Sequence, residues 1–213
     1  DEAETQVQYL TEKRGIKRIA IFYQNDAYGL AVKGGILKAL KKRNLDLAGE
    51  GTYERNTEDV STALAALKKA NPEAVSMVGT YKAIAAFVKK AKAEGFDPVF
   101  LNVSFVGTAA LVRELGKSGD GVIITQVMPS PRDTSVPLVA QYRADMKAAG
   151  QTELDYTDLE GYIDAVVFVE TLKKAGANLT RDSFIAAAEG LNAAIGGLNF
   201  KFTPADHHAL EKI

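Results

Sequence analysis

The sequence predicts an α/β chain: a parallel five-stranded sheet with helices on both faces, followed by a mostly helical C-terminal section. Three observations predict it. Between residues 17 and 128, five short apolar runs alternate with four helical faces. The stretch "PSPRDTSVP" (129–137) then holds three of the six prolines and breaks that rhythm. Beyond it the periodicity is helical, with one weak strand.

The elements follow in order. "KRIAIFY" (17–23) is a β-branched and aromatic run and reads as the first strand. Val32, Ile36, Ala39 and Leu40 recur at i, i+4, i+7 and i+8, one face of a helix. Gly34-Gly35 inside that helix is expected to allow close packing on the sheet. "LDLAGEGTY" (45–53) is the second strand. Val60, Ala63, Leu64 and Leu67 mark the second helix, with Thr57 or Asp59 as its N-cap and Asn71-Pro72 as its stop. "AVSMVGT" (74–80) is the third strand; Ile84, Phe87, Val88 and Ala91 mark the third helix, ended by Gly95. "PVFLNVS" (98–104), a short helix over 107–116 and "GVIITQVM" (121–128) complete the array, whose crossovers are expected to be right-handed. After the proline-rich break, Val139, Tyr142 and Met146 mark a helix. Leu159, Tyr162, Ile163, Val166 and Val167 mark another with a wide apolar face. Residues 181–190 form a third helix and "LNFKFTP" (198–204) a weak strand. This tail has almost no sheet to pack on, so the face around Tyr162–Val167 is expected to be uncovered and to favour self-association.

Composition narrows the function classes. The 213 residues are 46% hydrophobic and 25% charged with a net charge of −1, so no whole-chain field draws nucleic acid or an anionic membrane. There is no cysteine, which excludes disulfides, iron–sulfur clusters and thiol catalysis. No apolar run reaches the roughly 18 residues a membrane helix needs. The first residues, "DEAETQVQYL", contain no signal peptide, and both ends are expected to be cut. The lysine pairs 41–42, 68–69, 89–90 and 173–174 sit on polar helix faces and read as solvated charge. His207 and His208 are adjacent and diverge, so no metal site is expected there; neither a G-x-S-x-G elbow nor a Walker motif is present. "GKSGDG" (116–121) precedes a strand instead of opening a helix and reads as a turn. No catalytic residue, metal or cofactor is expected.

In an open parallel sheet, ligands bind outside the carboxyl ends of the strands. That rule selects Asp26 and Tyr28 after the first strand, Thr80 and Tyr81 after the third, and Ser104 and Phe105 after the fourth. These ends offer rings, hydroxyls and amides and no paired carboxylates. The plainer reading of each stays open: Asp26 as a helix cap, Tyr28 as packing, Ser104 as a cap, Phe105 as core.

Two stretches carry a resemblance. "RGIKRIAIFYQNDAYGLAVKGGILKALKKR" and "TEDVSTALAALKKANPEAVSMVGTYKAIAAFVKKAKAEGFDPVFLNVSFVG" resemble the extracellular ligand-binding receptor family, the type I periplasmic solute-binding proteins of branched-chain amino-acid uptake. "LEGYIDAVVFVETLKKAG" is similar to that family's helix after the interlobe crossing. The resemblance implies two Rossmann-like or flavodoxin-like lobes, with the ligand in the cleft between them. The closed form is presented to an ATP-driven ABC permease of the inner membrane. It implies that residues 1–131 are the second, ligand-binding lobe. Residues 132–213 are the hinge crossing and helical portion of a first lobe whose opening section is absent. Tyr28 matches the family's ligand-contacting tyrosine; the next contact falls at Thr80 by spacing or Tyr81 by chemistry. The glutamate that pairs with a ligand ammonium in the amino-acid binders falls on Ser104, and a serine cannot supply that charge. Aromatic or aliphatic carboxylates therefore stand beside branched-chain and other amino acids as candidate solutes, with Phe105 as an apolar wall.

The leading expectation is a periplasmic solute-binding component of an ABC importer, not an enzyme, acting by binding and hinge closure without nucleic acid. A ligand-sensing domain of a receptor or regulator is the second class, because the same fold serves both. An enzyme on a flavodoxin-like sheet would need a phosphate loop after the first strand, where "QNDAYG" has one glycine and no serine or threonine.

Overall fold

The computed structural model describes residues 1–210. The chain divides into two compact units, Asp1–Val127 and Met128–Ile213.

Unit 1 is built on a parallel sheet of order β2-β1-β3-β4-β5, from β1 (Ile19–Gln24), β2 (Glu50–Tyr53), β3 (Ala74–Val78), β4 (Val99–Asn102) and β5 (Ile123–Ile124). The expected five-stranded architecture is present. Every residue of β1 and β3 is buried, as strands covered on both faces must be. One face carries α3 (Ser61–Ala70), α4 (Tyr81–Ala93) and α5 (Thr108–Leu115), packed around Phe22, Phe87 and Phe100. The rings of Phe22 and Phe87 stack at 4.1 Å, and Phe100 meets Phe87 edge-on at 6.2 Å. The other face carries α2 (Ala27–Lys41) and α1 (Glu2–Gln8), around Ile19, Ile21, Ile36 and Leu40.

Several elements differ from the sequence reading. α1 was not anticipated, although Ala3, Val7 and Leu10 bury one stripe at i, i+4 and i+7; it runs on into a π-helical turn, Tyr9–Lys13. The Gly34-Gly35 pair serves this helix and not the sheet: a Cβ on Gly35 would lie 2.9 Å from the Ala3 methyl, and Gly34 has open space. The second strand is confined to Glu50–Tyr53 because only those residues hold a full ladder with β1. The fifth shrinks to Ile123–Ile124. The helix α3 is N-capped at Val60, beside the expected position; Asp59 instead accepts the Ser61 N–H at 3.2 Å, and the Thr57 hydroxyl turns back to the Glu54 carbonyl.

Unit 2 holds α6 (Pro137–Ala148), α7 (Tyr156–Ala175), α8 (Arg181–Glu189) and an antiparallel hairpin, β6 (Asn192–Ile195) and β7 (Leu198–Lys201). The hairpin corrects the expectation of a tail almost without sheet. Its turn is Gly196-Gly197, both at positive φ, which a two-residue hairpin loop of this kind needs. Leu138, Tyr142, Ile163 and Phe200 form its core. The apolar face of α7 lies where it was expected but is covered, because Leu159 and Ile163 are buried within unit 2. Tyr162, Val166 and Val167 pack against that core, and Phe168 and Val169 stand exposed.

Candidate functional site

The strand order reverses between β1 and β3, and in open α/β sheets the crevice lies at the carboxyl ends of such strands. The turn after β1 is tight. A Cβ on Gly29 would fall 1.9 Å from the Gln24 carbonyl oxygen, so glycine is obligatory there. Asp26 caps α2: its Oδ1 accepts from the Gly29 N–H at 3.1 Å, and its Oδ2 accepts from the Gln24 side-chain amide. The Gly29 N–H and then the Gln24 amide hold the Asp26 carboxyl below its usual range.

This cap is one end of a chain of hydrogen bonds. The buried Tyr53 hydroxyl, at the end of β2, donates to Gln24 Oε1 at 3.1 Å and accepts the Thr80 N–H at 3.1 Å. Asp26 and Thr80 are thereby tied together through Gln24 and Tyr53, two residues the sequence reading did not select. Gly79 makes room for this: a Cβ there would lie 2.2 Å from the Tyr53 hydroxyl. Thr80 is exposed, and Tyr81, the first residue of α4, packs partly against the aromatic face.

Tyr28, Ser104 and Phe105 are brought close to one another. The rings of Tyr28 and Phe105 lie 6.3 Å apart at 56°. Phe105 is 74% exposed, so it is not a core residue. Ser104 opens a short 3₁₀ turn, Ser104–Val106, and its side chain caps nothing. Tyr28 is half-buried, and its hydroxyl is buried without a hydrogen-bond partner. Burial first, then the charge of Glu2, raises the Tyr28 phenol well above its usual range. Asn102 Oδ1, at the end of β4, is also buried and unpartnered. Such orphan polar atoms are rare in folded chains and concentrate where a site needs them.

Glu2, which the sequence reading did not single out, completes the cluster from the start of α1. Its Oε1 accepts from the Ser104 hydroxyl at 2.9 Å; its Oε2 accepts from the Ser104 N–H at 2.8 Å and from the Thr125 hydroxyl. No pattern in the sequence links residue 2 to residue 104, because the contact exists only once α1 lies on the sheet. Among the described residues no group of three or more metal-ligating side chains comes together, and no helix is long and apolar enough to cross a membrane.

Known proteins resemble this chain at three levels: family, sequence and structure. A family model described as periplasmic binding protein matches residues 1–213. The Leu/Ile/Val-binding protein of Citrobacter freundii is 29% identical over 126 residues, 59% of this chain and 34% of that protein. The leucine-specific-binding protein of Salmonella typhimurium is 24% identical over 197 residues, 92% of this chain and 53% of that protein. The chain thus spans about half, or less, of the length of these curated relatives. Among solved structures, a possible leucine/isoleucine/valine-binding protein from Rhodopirellula baltica superposes with a TM-score of 0.92 at 36% identity, over 99% of this chain and 59% of that one. A substrate-binding periplasmic protein from Ralstonia solanacearum gives 0.86 at 26% identity, over 99% and 60%.

Proposed function

The chain belongs to the periplasmic binding protein family, and from that premise we propose that it carries the solute-binding edge of an ABC importer's periplasmic component. The work is binding, not catalysis. A small solute docks at the carboxyl edge of the unit 1 sheet, against Tyr28, Phe105, Thr80 and Tyr81, with Asp26 and Ser104 shaping the loops. The partner is the importer's inner-membrane permease. Relatives named for binding leucine, isoleucine and valine support a small aliphatic solute as the first candidate.

One observation carries the reading: a 74% exposed Phe105 whose ring lies beside Tyr28, the hydroxyl of which is buried and unpartnered. An exposed aromatic ring beside unsatisfied polar groups offers a solute both an apolar wall and a hydrogen-bonding partner. The test is a thermal-shift screen of the intact protein with amino acids and aromatic and aliphatic carboxylates, followed by calorimetry on the best binder. Phe105→Ala is expected to weaken that binder by about tenfold or more with the melting temperature almost unchanged, since little packing is lost. Unchanged affinity would remove this edge from the site.

A further inference from the structure

We infer that Glu2 is the specificity-determining residue of this edge, and that the solute it selects carries a protonated amine. The inference rests on the solute-binding reading above and narrows it to one chemical class.

Glu2 is held in place from two loops. The Ser104 hydroxyl donates to Oε1 at 2.9 Å, and the Ser104 N–H, at 2.8 Å, and the Thr125 hydroxyl both donate to Oε2. Thr125 is itself braced: Gln6 Nε2 donates to its hydroxyl at 3.3 Å, and Gln6 Oε1 accepts from the buried Ser76 hydroxyl at 2.6 Å. All of these donors are neutral. They fix the carboxylate's position without cancelling its formal charge. No ion pair among the described residues includes Glu2. The contrast on the same helix is Glu4, which meets Lys42 at 3.1 Å and Arg43 at 2.8 Å. Two residues apart, one acid is paired with two cations and the other only with dipoles.

The neighbours of Glu2 suit a cation. The Tyr28 and Phe105 rings present aromatic surface within the same cluster, and aromatic faces attract ammonium groups. The buried Tyr28 hydroxyl can accept a hydrogen bond from an ammonium that it does not receive from the protein. A carboxylate, aromatic rings and an unsatisfied acceptor together form a receptor for R–NH₃⁺ with an apolar R. An anionic group placed here would meet the Glu2 charge. Ser104 contributes by orienting an acid that arrives from the opposite end of the unit's sequence. The plainer role, an anchor fastening α1 to the sheet, uses the same hydrogen bonds and predicts no preference for amines.

The experiment separates the two. Calorimetry on the intact protein uses L-leucine and L-phenylalanine against 4-methylpentanoate and 3-phenylpropanoate, which keep the apolar body and lose the amine. We expect an amino acid to bind about a hundredfold more tightly than its deaminated partner, the scale of losing one member of a desolvated charge pair. Glu2→Gln should close that gap while leaving the fold intact. Glu2→Asp, which keeps the charge but shortens the reach to the Ser104 and Thr125 donors, should retain part of the gap that Glu2→Gln loses, whereas an anchoring role predicts no gap in any of the three proteins. A deaminated acid that binds as tightly as its amino acid, or an amine preference that survives Glu2→Gln, overturns the inference. If Phe105→Ala weakens binding and Glu2→Gln does not, the edge is the site and Glu2 only an anchor. If the wild-type protein binds none of the four compounds, the inference falls; if carboxylates in the wider screen also fail to bind, the solute-binding reading falls with it.

Discussion

The two sheets of this chain are buried in different ways. In unit 1, β1 and β3 are covered on both faces, and all of their residues are inside. In unit 2, the hairpin alternates: β6 and β7 turn Phe200, Leu198 and Ile195 inward and leave Asn192, Ala194 and Lys201 exposed. The parallel sheet therefore has two independent cores, one around Phe22 and Phe87 and one around Ile19 and Leu40. Unit 2 has one, around Tyr142 and Ile163, with Phe168, Val169, Leu179 and Ile185 left at the surface. The difference teaches where rigidity is needed. The candidate site hangs from the ends of strands that are clamped from both sides, and a site must be held to fractions of an ångström to select a solute.

The largest expected effect breaks that clamp. Phe22 stacks on both Phe87 and Tyr53, at 4.1 and 5.2 Å. Phe22→Ala should cost about 3–5 kcal/mol in denaturant unfolding, the usual range for a large buried ring replaced by alanine. Because Tyr53 positions Thr80 and Gln24, affinity for the solute should fall as well. The counterpart is Phe168→Glu in α7. Phe168 is 52% exposed and its ring meets that of Phe184 at 5.5 Å, so its loss should cost only about 1 kcal/mol. Equal destabilisation by the two variants would abolish the distinction between the units.

The comparison also explains what could be read from the sequence. β1, α2, β3 and α4 were legible because long periodic runs are fixed by burial on both faces, and the positions of Tyr28 and Phe105 followed from the crevice rule. The weaker signals were passed over. Ala3, Val7 and Leu10 have helical spacing, but polar Gln6 lies on the same buried stripe and hides it. β6 carries two alanines, poor strand formers, and only the Gly196-Gly197 turn marks it. Glu2 was not legible at all. Its partners lie in loops more than a hundred residues away, and no local pattern encodes such a pairing.

A smaller effect sharpens the picture at Tyr28. Its hydroxyl is buried and makes no hydrogen bond, so the folded protein carries a desolvation cost with nothing in return. Tyr28→Phe should stabilise the ligand-free protein by about 1 kcal/mol. The same substitution should weaken solute binding several-fold. A protein that becomes both less stable and unchanged in affinity would show that the hydroxyl has a partner and that the site lies elsewhere.

The smallest expected effect concerns pH. Asp26 has its carboxyl held below the ordinary value of 3.8 by the Gly29 N–H and the Gln24 amide. A group depressed in the folded state contributes stability that is fully present above its unfolded pKa. That contribution is lost as pH falls through the lower, folded value. The wild-type protein should therefore lose melting temperature below about pH 4 partly through Asp26. Asparagine caps a helix about as well and does not titrate. Asp26→Asn keeps the acceptor for the Gly29 N–H but loses the one for the Gln24 amide, so it should be somewhat less stable than the wild type at neutral pH and show a shallower decline in acid. Glu4, Glu73, Glu94, Asp133 and Asp206, also depressed by their partners, contribute to the slope that remains in the variant. Thermal melts from pH 7 to 3 decide the matter: an identical acid slope in both proteins would mean that the cap contributes nothing that depends on its charge, and that the turn before Tyr28 is held by Gly29 and the strand alone.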